Sequence, residues 1–111
     1  MTNARELANL VGGTLTNVTS GTNNVALGDE ALEATTSGAN NVAVGKDALT
    51  ANTTATQNVA VGYQAGAGIT TGGYNVAIGG ESMLSTMTGA DNAAVGYGAM
   101  QVNTSGADNT A

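Results

Sequence analysis

Eight carboxylates, three tyrosines, one Lys and one Arg are nearly the whole stock of side chains here that could move a proton, pair with an ion or stack on a ligand. There is no His and no Cys, so the commonest general base and the thiolate nucleophile are both missing. The carboxylates do not converge either. Glu30, Asp47 and Glu81 recur at one phase of a seventeen-residue period, and Asp91 and Asp108 at another. Residues of equal phase form a row along a surface, not a pocket. Asn23 and Asn40 share the phase of Asp91 and Asp108, which favours turn formation over a calcium ion held between the two carboxylates. The calcium-binding nonapeptide repeat also has a different period and pattern. Tyr63 and Tyr97 share a further phase, where they would make either a stacking platform for a sugar or, more simply, packing residues at a corner. No enzyme activity, cofactor or metal is expected.

Rows of this kind exist only if the chain coils regularly, and the sequence states the coil openly. Asn24-Val25-Ala26-Leu27-Gly28 returns as Asn41-Val42-Ala43-Val44-Gly45 and as Asn58-Val59-Ala60-Val61-Gly62. Asn75-Val76-Ala77-Ile78-Gly79 and Asn92-Ala93-Ala94-Val95-Gly96 follow, and a sixth unit opens at Asn109. No insertion or deletion breaks the step. Such a period predicts one structural coil per unit, each stacked on the next. The expected fold is mainly β: a parallel β-solenoid or β-roll of seventeen-residue coils over residues 21–111, continuing past Ala111, where the sixth unit is cut short.

With the Asn as position one, branched residues at two and four alternate with small ones at three and five, which reads as a short strand. Size alone predicts that Val25, Val42, Val59 and Val76, with Leu27, Val44, Val61, Ile78 and Val95, line the interior. The alanines then face a close neighbour, either the opposite wall or a second chain. On that reading Val59→Asp abolishes folding and assembly together. The Gly at position five ends the strand at a backbone angle that suits glycine. Positions six to ten, as in Asp29-Glu30-Ala31-Leu32-Glu33, admit a single helical turn or a second short strand. The Asn residues stack in a column where their amides can bond along the axis.

The bulk composition narrows the partners. A net charge of −6 argues against nucleic acid and against an anionic membrane surface. No apolar run approaches the ~20 residues of a membrane span, and the first ten residues lack the layout of a secretion signal. The chain has no Phe or Trp, so it has few large side chains for a core of its own; either many flat layers of small side chains stack, or several chains share one core, and the second is the expectation. Residues 1–20 leave the period. Ala4 to Val11 suit a short helix with Leu7, Leu10 and Val11 along one side, ended by Gly12-Gly13. Three large apolar residues and Arg5 on a non-repeating end make this segment a cap or an attachment element.

The Asn-Val-Ala-Val-Gly and Gly-Tyr-Gln-Ala stretches, joined by Thr-Ser-Gly-Ala-Asn-Asn, resemble the repeats of bacteriophage tail-fibre proteins. They are also similar to the β-roll head of trimeric autotransporter adhesins, whose repeat carries a comparable core with a shorter period. The resemblance covers residues 21–111, and Ala4 to Leu10 looks like the opening of fibre proteins of phages that infect marine cyanobacteria. What this implies is a homotrimer, intertwined or side by side, forming the proximal part and shaft of a virion fibre. Residues 1–20 would then attach to a tail or baseplate protein through Arg5, Leu7, Leu10 and Val11, and a distal region would meet the host receptor. The alternatives are a secreted adhesin head at the bacterial surface, or another surface-binding solenoid for glycan or ice. The rows Thr35/Thr36, Thr53/Thr54 and Thr70/Thr71 would serve ice, but Asn52, Ile69 and Met87 interrupt them.

Overall fold

The computed structural model describes residues 21–85 and 87–111. Five three-residue strands, β1 (Val25–Leu27), β2 (Val42–Val44), β3 (Val59–Val61), β4 (Val76–Ile78) and β5 (Ala93–Val95), form one parallel sheet in chain order. Each residue pairs with the one seventeen further on, so Val25, Val42, Val59 and Val76 are stacked neighbours, as are Ala26, Ala43, Ala60 and Ala77. The chain is a parallel β-solenoid with one coil per repeat. The proposed N-terminal helix, with Arg5, Leu7, Leu10 and Val11, lies outside the described residues.

The strand faces are inverted relative to the expectation from size. Ala43, Ala60, Ala77 and Ala94 are fully buried, whereas Val25 is 48% exposed and Val95 64%. Val61 and Ile78 are exposed too, and Val42, Val44, Val59 and Val76 are only half-buried. The cause is parity. Successive side chains of a strand point to opposite faces, so position three must share the side of position one. Position one is the Asn, and its amide belongs inside. Asn58 donates from Nδ2 to the Gly72 carbonyl 14 residues on, at 2.9 Å, closing its own coil. Its Oδ1 accepts the Asn75 backbone N–H of the next coil at 2.8 Å. The same pair of bonds recurs from Asn24 to Asn92. Asn41, Asn58, Asn75 and Asn92 are buried in consequence. The predicted column therefore exists, with direct amide-to-amide bonds added at Asn41, Asn92 and Asn109.

Positions six to ten are neither helix nor strand. Glu30, Asp47, Gln64 and Glu81 at position seven sit at φ near 60°, and Leu32, Leu49 and Met83 at position nine near 50–55°. Left-handed residues at every second place make the N–H groups alternate in direction. Ala31 N–H closes a turn on Gly28 O at 3.3 Å, Leu32 N–H reaches Ala48 O of the next coil at 3.0 Å, and Glu33 N–H turns back to Glu30 O at 3.3 Å. A helix would direct all of these along one axis. The acidic residues are therefore turn residues, not helix N-terminal charges.

The core is thin and built from both walls. Alanines of position three face Ala31, Leu32, Ala48, Leu49, Ala65 and Met83 from positions eight and nine. Gly66 takes the place that Leu or Met holds in the other coils. A Cβ added there would come within 2.9 Å of Leu49 Cδ2 and 3.1 Å of Ile69 Cδ1, so Leu49 and Ile69 occupy the vacated space. At position five, Gly28, Gly45, Gly62 and Gly79 have φ of 120–131°, and a Cβ would stand 2.5–2.8 Å from backbone of the next coil. Only glycine permits that turn and that approach.

Candidate functional site

The inversion creates the main surface feature. Positions two and four of every strand point outward from a sheet that carries no covering layer among the described residues. Val61 at 37% and Ile78 at 39% exposure join Val95 in one row, with the half-buried Val59 and Val76 beside them. Aliphatic side chains on a flat sheet face, one row per ~4.8 Å of rise, form a contiguous apolar strip.

Two edges frame the strip. Before each strand stands position seventeen: Asn23, Asn40, Gln57, Tyr74, Asp91 and Asp108, all exposed and all at φ of 58–59°. That angle confirms the turn role inferred for Asp91 and Asp108. After each strand stands position six, occupied by Asp29, Lys46, Tyr63, Gly80 and Tyr97. Lys46 Nζ lies 2.9 Å from Asp47 Oδ2 and 3.8 Å from Asp29 Oδ2. The hydrogen bond to Asp47 raises the Lys46 pKa. The Glu30 pKa is raised as well, by repulsion led by Glu33 and then Asp47, which disfavours its charged form. Near the other end, Gln101 Nε2 donates to Glu81 Oε2 at 3.1 Å. The hydrogen bond between Tyr97 and the Glu81 carboxylate raises the pKa of the phenol.

These groups are spread along edges, and no described trio of carboxylates converges on a point that would hold a metal ion. The predicted attachment residues Arg5, Leu7, Leu10 and Val11 lie outside the described residues. Sequence reasoning missed the outward strip itself. The signal that would have found it was the buried requirement of the repeating Asn, which fixes the parity of the strand. Comparison with protein-family models, with curated proteins and with solved structures gives no match.

Proposed function

We propose that the chain is the shaft of a homotrimeric fibre, a structural component of a phage tail fibre, with the outward aliphatic strip as the surface that the three copies share. The observation that carries this reading is the strip: Val61, Ile78 and Val95 stand exposed on a parallel sheet that no described residue covers. A soluble monomer gains nothing from an apolar face of this regularity. Burying it around a common axis adds a core of branched residues to the thin interior of alanine, leucine, isoleucine and methionine inside each coil. The interchain approach thus moves from the alanines, which fill the coil's own interior, to the branched residues. Residues 1–20, with Arg5, Leu7, Leu10 and Val11, dock on a tail or baseplate protein, and a region distal to the shaft meets the host receptor. The chain acts by geometry and needs no catalytic group. Light scattering with native mass spectrometry tests the assembly, and a folded monomer at every concentration would overturn it. Deleting residues 1–12 tests attachment: particles lacking the fibre while the free trimer persists support docking, and loss of the trimer itself shows a cap.

A second reading has one observation in its favour. Asn52, Ile69 and Met87, which interrupt the threonine rows in the sequence, are all buried. The exposed column beside them, Ser37, Thr54, Thr71, Thr88 and Ser105, carries a hydroxyl in every coil. No charged residue occurs at positions eleven to sixteen of any of these five coils. A flat, neutral, hydroxyl-bearing face suits ice, and a thermal-hysteresis assay decides: a freezing gap removed by Thr71→Lys favours it, and no gap ends it.

A further inference from the structure

Resting on the trimer reading, we propose that the copies pack in register, the start of each strand against the end of the same strand in the next copy, with Tyr74 of one copy seated on Gly80 of its neighbour. The argument begins with symmetry. Three copies related by rotation about an axis parallel to the coil stack keep equal residues at equal height, and the contact is heterologous. If the outward strip faces that axis, the two edges that meet are position seventeen of one copy and position six of the next.

Within each layer those two edges are complementary. In the layer of β4, the edge before the strand is Tyr74, 56% exposed, and the edge after it is Gly80. Tyr74 is the one large ring at position seventeen, and Gly80 is the one residue without a side chain at position six. A knob and a hole thus share one layer. In the layer of β3, Gln57 meets Tyr63, and in that of β5, Asp91 meets the uncharged ring of Tyr97. Lys46 meets the amide of Asn40 in the layer of β2, so no layer sets like charges against each other.

Shifting one copy by a coil destroys the fit. Tyr74 then lands on Tyr63 or Tyr97, while Gly80 faces Asp91 or Gln57 and leaves a gap. Gly80 is covered on one side by its own chain: Tyr97 leans over it, with ring atoms 3.3–3.4 Å from where a Cβ would stand. The seat is therefore a shallow one, in which an incoming Tyr74 packs against the Tyr97 ring beside the Gly80 backbone. Exposed aromatic anchors at an interface commonly carry most of its binding energy. Here they also fix the register, which the uniform Val/Ile rows leave free to slip from coil to coil.

The chain has no cysteine, so engineered disulfides report contacts without background. The full-length chain carrying Tyr74→Cys and Gly80→Cys is oxidised and run on a non-reducing gel, beside Tyr74→Cys paired with Tyr63→Cys and with Tyr97→Cys. Covalent trimer from the first pair, and none from the two shifted pairs, is the expected result. Should Gly80→Cys fail to fold, Gln57→Cys with Tyr63→Cys and Asp91→Cys with Tyr97→Cys test the same register in adjoining layers. A trimer by light scattering that cross-links only through the shifted pairs, or through none, overturns the register and leaves the trimer standing. A monomer overturns the trimer reading beneath it.

Discussion

Asn58 shows how one side chain organises a coil. It is fully buried, and its amide serves a carbonyl of its own coil and an N–H of the next. Asn58→Ala leaves the Gly72 carbonyl and the Asn75 N–H unpartnered in the interior, so it should cost about 2–6 kcal/mol, at ~1–3 kcal/mol per unsatisfied group. A shift in the urea midpoint measures it. Asn58→Asp is informative in a second way. The carboxylate still accepts from Asn75 but opposes the Gly72 carbonyl, which favours the protonated form and raises the folded pKa. The variant's stability is therefore present below the ordinary aspartate range and lost as pH rises through the raised value; a flat pH profile would contradict this account. Asn52 gives the opposite sign. Its Oδ1 accepts from Ala55 N–H at 3.1 Å, but its Nδ2 is buried without a partner. Thr35 holds the same position one coil earlier and donates to Asn52 O at 3.2 Å, while Gly38 N–H bonds instead to Thr53 O at 3.2 Å. Asn52→Thr can copy that arrangement and should raise stability by about 1 kcal/mol, the usual scale for relieving one buried orphan.

At the scale of the element, the turn after each strand depends on glycine for two separable reasons. Gly62 has φ of 131° and a Cβ would stand 2.8 Å from Gly79 C, whereas Gly66 has φ of 63°, close to that of Leu32 and Met83 at the same position, and a Cβ there would meet only side chains, Leu49 Cδ2 at 2.9 Å first. Gly66→Ala should therefore cost about 1–2 kcal/mol, and Gly62→Ala backbone strain plus a collision with backbone, about 3 kcal/mol or more. Equal losses in thermal unfolding would show that the close approach of coils is not what selects glycine. The strand itself teaches what a sequence discloses. Its position, length, parallel stacking and register were legible, because seventeen-residue identity leaves no other pairing for Val42 than Val25 and Val59. Its orientation was not read from size, since Val is more apolar than Ala and burial by hydrophobicity alone favours Val inside. Two constraints override that preference. The interior is only as wide as Ala and Leu49 together permit, and the Asn must face inward to satisfy backbone groups that no other side chain reaches. The alternating left-handed turn at positions seven and nine was also hidden, because Leu32 and Met83 carry no turn signal of their own. The candidate edge residues were visible as rows, but not that Tyr74 and Gly80 share a layer on opposite edges.

At the scale of the whole molecule, the inward alanines and outward valines divide folding from assembly. Were the branched residues the interior, a charge at Val59 would abolish both at once. With the faces as found, Val59 is half-buried on the outer side and Ala60 is fully buried. Ala60→Asp places an unpaired charge inside the coil and should unfold the chain. Val61→Asp, at a site already 37% exposed, puts a carboxylate where water reaches it in the single chain but not in an assembly. That variant should retain the β signal in circular dichroism while light scattering falls from trimer to monomer. Glu30→Gln supplies the control away from the strip. It relieves repulsion from Glu33 and Asp47, so it should raise the melting temperature slightly at neutral pH and low salt. The gain should vanish as pH falls and the wild-type Glu30 protonates. If Val61→Asp melted the coil as completely as Ala60→Asp, the solenoid would have no stability apart from its neighbours, and the strip would belong to the folding core. If it left the trimer intact, the copies would have to meet on some other face.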